Sequence, residues 1–371
     1  MLPACCDFLG EQRAERNRTA PPFELGAKNQ MRKAGQSIVV TMGEPAGIGA
    51  EITLGAWLRL RETDCAFYLL HDPTHVSELG QALSLRVPIT VISHPTEARE
   101  AFREALPVMP VQLVAPIRLG QPDSRNADSV IDAIRLAVEL TVTGQASALV
   151  TNPIQKSVLY ESGFPFPGHT EFLEELSGAG FRAVMMLASE ELKVVPVSIH
   201  EALAAAVSEI SKQRIVDVAR ATASGLSRDF GIPNPRLAIA GLNPHAGEGG
   251  SMGREEIETI APAIEILKRE GIDASGPYPP DTMFTSRARQ TYDAAICMYH
   301  DQALIPLKTL DVDGGVNITM GLPFVRTSPD HGTALDIAGR GVADPGSLIS
   351  AIRMAAKIAE HRSRSKKGIV A

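Results

Sequence analysis

Three histidines stand just beyond apolar runs that read as β-strands. His200 closes Val194-Val195-Pro196-Val197-Ser198-Ile199, His245 follows Leu237–Gly241 through Leu242-Asn243-Pro244, and His300 follows Ala294-Ala295-Ile296-Cys297-Met298-Tyr299. In open α/β sheets, ligands bind at the carboxyl ends of the strands. Three neutral imidazoles with one open position make a divalent metal site, with zinc the first expectation and magnesium or cobalt the alternatives. One such histidine reads as a strand-end hydrogen-bonding group; three in the same placement, with Asp301 beside one of them, read as a metal site.

Anion-binding groups form a second constellation. Pro167-Gly168-His169-Thr170 introduces a helix carrying Phe172, Leu173 and Leu176, and Lys308, Asn317 and Arg326 lie downstream. A helix start offers free N–H groups, lysine a compact charge and arginine a bidentate fork, so a phosphate suits this set. A lone basic residue is by default a solvated surface charge. Lys308 and Arg326 instead sit beside apolar stretches, Ile305-Pro306-Leu307 and Gly321-Leu322-Pro323-Phe324-Val325. A third feature, Gly43-Glu44-Pro45-Ala46-Gly47-Ile48-Gly49, lacks both the GxGxxG spacing and the GK[ST] ending of phosphate-binding loops. It reads as a tight strand-to-helix turn.

The elements that must position these groups follow an α/β pattern from Ser37 onward. Candidate strands are Ile38–Met42, Ala66–Leu70, Ala148–Thr151, Val184–Leu187, Val194–Ile199, Leu237–Gly241 and Ala294–Met298, with helical stripes such as Ile48, Ile52, Gly55 and Leu58 between them. Near-continuous apolar strands imply a sheet covered by helices on both faces. A helix is expected from about Arg254 to Glu270, acidic at its start, basic at its end, stopped by Gly271 and kinked at Pro262. The chain has 371 residues, 44% apolar, with 36 basic against 43 acidic residues and a net charge of −7. That is long enough for two domains, and it offers no basic footprint for nucleic acid or anionic membrane. No apolar run reaches the ~20 residues of a membrane helix. The four cysteines show neither metal nor disulfide spacing, which suggests a reduced, cytoplasmic compartment. Residues 1–35 mix charges and prolines without period and read as a disordered extension, with Met31 a second candidate start.

Asp330-His331-Gly332-Thr333-Ala334-Leu335-Asp336-Ile337-Ala338-Gly339 resembles the adenosine-binding segment of the isocitrate and isopropylmalate dehydrogenase fold. The resemblance implies cofactor contacts from His331, Gly332, Thr333 and Asp336, with His331 near the adenine and Asp336 accepting from the ribose hydroxyls. With this segment, the strings Gly43–Gly49, Thr151–Ile154, Pro167–Glu171, Asn243–Gly250, Tyr299–Gln302 and Gly315–Thr319 are together similar to the 4-hydroxythreonine-4-phosphate dehydrogenase family of pyridoxal phosphate biosynthesis, over about Ser37 to Ile358. That resemblance implies a two-domain α/β fold of isocitrate/isopropylmalate dehydrogenase type, with helices on both faces of mixed, largely parallel sheets. Residues 36–150 plus 301–371 would bind the nucleotide, and 151–300 would hold metal and substrate and dimerise.

The same resemblance assigns the metal to His200, His245 and His300, and substrate contacts to His169, Thr170, Lys308, Asn317 and Arg326. It implies a homodimer with the site at the subunit interface and His300 coming from the partner. Asp281 is a further catalytic candidate. Lys308 is either a base or, preferably, an anion anchor. The implied reaction is NAD-dependent (or NADP-dependent) oxidation of 4-phosphooxy-L-threonine to a β-keto acid that loses carbon dioxide, with the metal bound by the substrate hydroxyl and amine. Asp336 favours NAD, with Arg340 close enough to weaken that preference. Alternatives are a related dehydrogenase acting on threonate or erythronate 4-phosphate or on a cyclohexadiene diol dicarboxylate, a metal-dependent phosphohydrolase, and a non-catalytic protein that binds a phosphometabolite.

Overall fold

Every strand expected from the apolar runs forms, and all of them join one sheet. The computed structural model describes residues 36–311 and 314–368, so the expected disorder of residues 1–35 lies outside the described residues. The strands are β1 Ile38–Thr41, β2 Phe67–His71, β3 Ile89–Val91, β4 Leu106–Pro110, β5 Leu149–Val150, β6 Val184–Ala188, β7 Lys193–Pro196, β8 Leu237–Ala240, β9 Ala274–Tyr278, β10 Ala294–Cys297, β11 Val316–Met320 and β12 Arg326–Pro329. Their order is β3-β4-β2-β1-β5-β12-β11-β6-β7-β10-β8-β9. Two wings are parallel, β3 to β12 and β7 to β9, and the pairings β12/β11, β11/β6 and β6/β7 between them are antiparallel. Three reversals make the two wings run in opposite senses.

Both faces are covered, which is why β1, β2, β6, β8 and β10 are buried at every residue. One face packs Val40, Ile52, Trp57, Leu69, Ile215 and Ile352; the other packs Val39, Tyr68, Leu70, Ile134 and Phe324. The helix Gly346–Gly368 crosses the first face, touching β12, β11, β5, β1 and the helices Lys212–Phe230 and Gly49–Leu60. Arg362 Nε and Nη2 on it donate to Asp229 at 2.6 and 2.9 Å, a buried pair that locks it to the helix Lys212–Phe230. None of the described helices is long and apolar enough to cross a membrane.

Two expectations change in detail. The element at 254–270 starts as a π-turn, Glu256–Ile260, and continues as an α-helix over Ala261–Arg269. Pro262 lies in the first turn of that α-helix, where its missing N–H costs little, so the break precedes the proline rather than following it. The central strands β11 and β12 escaped notice because Val-Asn-Ile-Thr-Met and Arg-Thr-Ser-Pro are too polar to read as buried. Arg326, Thr327 and Ser328 are nevertheless all buried. The turn at 43–49 is as tight as its glycines suggest: Gly43 has φ +70°, and a Cβ there would meet the Pro153 carbonyl at 2.6 Å. A Cβ on Gly47 would meet the Thr333 carbonyl at 2.8 Å, so this turn is the floor on which the 331–345 segment lies.

Candidate active site

Arg326 is the most buried charge lining a cleft that both wings of the sheet border. It starts β12, between β5 and β11, and its guanidinium donates to Thr151 Oγ1 at 3.2 and 2.7 Å and to Thr319 Oγ1 at 2.9 Å. It is 3% exposed, and no carboxylate among the described residues pairs with it. Burial alone pulls its pKa down to about 10. A guanidinium desolvated against neutral hydroxyls is a costly arrangement that an incoming anion relieves.

The cleft above it has a volume of about 510 Å³ and is walled by groups from both wings. From the helix His169–Ser177 come His169, Thr170 and Glu171 at the first turn. His169 Nε2 is buried without a partner, and burial first, then the charges of Arg326 and Lys156, hold this imidazole well below its ordinary pKa. It is therefore neutral. Asn317 faces the cleft from β11, with its Oδ1 also lacking a partner. The helix His300–Leu310 presents His300, Leu304 and Lys308, spaced by four and hence on one face. Lys308 Nζ is paired with Asp330 at 2.9 Å.

The metal candidates are split. β7 and β10 are parallel neighbours, Ala295 opposite Val194, and the register continues through Val197 N to Cys297 O at 2.7 Å. His200 and His300 therefore emerge side by side, ring centroids 5.9 Å apart, within one chain. His300 Nδ1 lies 2.7 Å from Asp301 Oδ1. Burial first, then Lys156 and His300, lower the His200 pKa, which leaves the neutral ring a metal requires. His245 is exposed and does not line this cleft.

A buried carboxylate holds the loop that carries His245. Buried Glu256 takes the Leu242 and Asn243 N–H groups, both at 2.7 Å, and Asn243 Nδ2 at 2.9 Å, drawing the loop toward its own turn. His245 through Gly249 then run in the left-handed region. Asp281 is likewise exposed and outside the cleft, on a short helix, Pro280–Met283, that packs on the His245 turn. Among the described residues, no group of three or more His, Cys, Asp or Glu side chains is close enough to hold a metal.

His331 and Gly332 border the cleft, and from there the segment runs without helix or strand to residue 345. Its backbone is pinned from below: Ile48 N donates to Thr333 O at 3.1 Å, Thr333 Oγ1 to Gln155 Oε1 at 2.9 Å, and Gly339 N to Glu51 Oε2 at 2.8 Å. Asp336 is exposed at its outer surface, available to accept hydrogen bonds.

Residues 63–355 match the family model described as pyridoxal phosphate biosynthetic protein PdxA. The chain is 51% identical over 330 residues to the 4-hydroxythreonine-4-phosphate dehydrogenase of Caulobacter vibrioides, covering 88% of this chain and 98% of that one. It belongs to the 4-hydroxythreonine-4-phosphate dehydrogenase family. The Maricaulis maris member is 53% identical, with the same coverage. Among solved structures, the 4-hydroxythreonine-4-phosphate dehydrogenase of Klebsiella pneumoniae superposes with a TM-score of 0.79 at 37% identity, over 87% of this chain and 99% of that one. The family makes this chain an oxidoreductase acting on a CH–OH group. The fold extends further: a terephthalate 1,2-cis-dihydrodiol dehydrogenase of Burkholderia xenovorans shares it with a TM-score of 0.59 at 24% identity, over 87% of this chain and 98% of that one.

The cleft thus gathers His169, Thr170, His200, His300, Lys308, Asn317, Arg326, His331 and Gly332, and leaves out His245, Asp281, Thr333 and Asp336. Sequence reasoning missed Lys156, Glu171, Asp330 and Gln302. Gln302 latches two strand ends, accepting from Met298 N at 2.6 Å and donating to Gly241 O at 2.8 Å. Glu171 and Asp330 each adjoin a residue already singled out and were readable as part of the same strings.

Proposed function

We propose that this family member oxidises 4-phosphooxy-L-threonine with NAD, NADP being the alternative. The C3 hydride passes to the nicotinamide and the hydroxyl proton to solvent, giving 2-amino-3-oxo-4-phosphooxybutanoate. Cleavage of its C1–C2 bond releases carbon dioxide, and protonation at C2 gives 3-amino-2-oxopropyl phosphate, as required for pyridoxal phosphate biosynthesis. The observation that carries the reading is Arg326, a buried cation whose hydrogen bonds are all to hydroxyls. The substrate phosphate supplies the missing charge, with neutral His169, Thr170 and Asn317 completing its shell. Lys308, already paired with Asp330, suits anchoring of the substrate carboxylate better than proton abstraction.

The donor set fits a divalent ion of the zinc, cobalt or magnesium group: His200 and His300 adjoin, and His200 is held neutral. Such an ion supplies Lewis acidity toward the alcohol and the ketone formed from it. His245 and Asp281 share a patch outside their own cleft, while His200 and His300 also border a second cavity of about 310 Å³ beside the exposed Leu203. This supports a homodimer in which His245, rather than His300, reaches the site from the partner. The nucleotide lies along His331 to Asp336, on the half formed by residues 36–150 with 301–371, leaving 151–300 as the metal and substrate half.

Arg326→Lys tests the phosphate assignment. It is expected to lower kcat/KM for the phosphorylated substrate by about 10²-fold, a loss typical of a broken bidentate charge pair, and to leave the trace turnover of unphosphorylated 4-hydroxy-L-threonine unchanged. An equal fall on both compounds contradicts it.

A further inference from the structure

The anion site assembled so far carries one full positive charge. Arg326 is a cation, whereas His169 is neutral and Thr170 and Asn317 bear no charge. A phosphate monoester, with its second pKa at about 6, is close to a dianion at neutral pH. One guanidinium therefore leaves the other charge unmatched. Lys308 does not supply the match, because Asp330 already holds it at 2.9 Å.

Lys156 lines the same cleft. It opens the short helix Lys156–Glu161, which follows β5 and Thr151, the residue whose hydroxyl accepts from Arg326. The lysine head lies against the start of the nine-residue helix His169–Ser177: a Cβ on Gly168 would meet Lys156 Cε at 3.3 Å and Nζ at 3.4 Å. A side chain at Gly168 would displace the ammonium, and glycine leaves it room. Glu171 Oε2 comes within 3.5 Å of the same point, yet Lys156 forms no ion pair among the described residues. An unpaired ammonium thus stands beside the helix turn at which His169 Nε2 is buried without a partner. We propose that Lys156 is the second cation of the anion site and a specificity-determining residue, which makes the site prefer a doubly charged ester over a singly charged one. The assignment rests on the phosphate reading above. The two cations divide the work by their chemistry: Arg326 offers a rigid fork fixed by two threonine hydroxyls, and Lys156 a point charge on a flexible stem.

Lys156→Met removes the charge and keeps an unbranched stem, and Lys156→Arg keeps the charge. The test compares kcat/KM for 4-phosphooxy-L-threonine and for the sulfate ester of 4-hydroxy-L-threonine, which has the same skeleton and a similar tetrahedral group but one charge fewer, at saturating NAD. Wild type is expected to prefer the phosphate ester. Lys156→Met should shrink that preference roughly tenfold, and Lys156→Arg should keep most of it. Equal losses on both esters in Lys156→Met, as a merely structural role would give, overturn the assignment; a phosphate preference that still depends on Arg326 then leaves the phosphate reading standing. Wild-type enzyme that turns over the phosphate ester, the sulfate ester and the free alcohol equally well overturns the phosphate reading and this assignment with it.

Discussion

His71 shows how burial writes a pH dependence into one residue. It ends β2 fully buried, its Nδ1 accepting from Asp72 N at 2.7 Å and its Nε2 without a partner. Burial first, and neighbouring His75 second, push its pKa to about 3. The unfolded chain carries the same ring at about 6.5, so below that pH the unfolded state takes up a proton the native state refuses. Stability should fall as pH drops from 6.5 toward 3, by about 1.4 kcal/mol from this ring at pH 5.5. Unfolding free energies from urea melts at pH 7.5 and 5.5 should differ more in wild type than in His71→Asn by about that amount; an equal difference refutes it. Nothing in the sequence around Leu70-His71-Asp72 announces this, because burial is a property of the neighbours. Arg326 was legible for the opposite reason: a lone arginine in an apolar, glycine- and proline-marked stretch has few places to go except inward. Lys156 was not, since its role depends on Gly168 leaving room above the helix start.

Elements were legible where their pattern was uniform. β1, β2, β6, β8 and β10 announced themselves as apolar runs, whereas β11 alternates apolar with polar residues and β12, Arg-Thr-Ser-Pro, has no apolar run at all, and so both looked like loop. The segment 331–345 was recognisable as a string, yet its support was not. Glu51, on the helix Gly49–Leu60, is 4% exposed and accepts from Gly339 N at 2.8 Å and from Ala343 N at 3.4 Å. One carboxylate thus holds the far end of the segment to which the nucleotide is assigned. Glu51→Gln weakens those bonds without changing shape. KM for NAD should rise several-fold to about tenfold, with KM for the phosphorylated substrate unchanged. A rise in the substrate KM alone would place the nucleotide elsewhere.

At the scale of the whole molecule, one sheet carries two opposed parallel wings, and the antiparallel centre lets strand ends from both wings meet at a single cleft. Thr151, Arg326 and Asp330 arrive from the first wing, His200 and His300 from the second, and Asn317 from β11 between them. The histidine triad was legible as three strand-end residues. Its division was not, because the backbone after β8, held by Glu256, takes its left-handed course only beyond the end of the strand. The buried Asp229–Arg362 pair fastens the helix Gly346–Gly368, which packs on β12, β11, β5 and β1, to the helix Lys212–Phe230. The central claim is a metal-dependent hydride transfer from a phosphorylated hydroxy amino acid. Its most direct test is absorbance at 340 nm with purified protein, NAD and 4-phosphooxy-L-threonine, before chelation, after chelation and after zinc is restored. The account predicts reduced nucleotide that disappears on chelation and returns with zinc; no reduced nucleotide under any of these conditions, or released inorganic phosphate in its place, would contradict it.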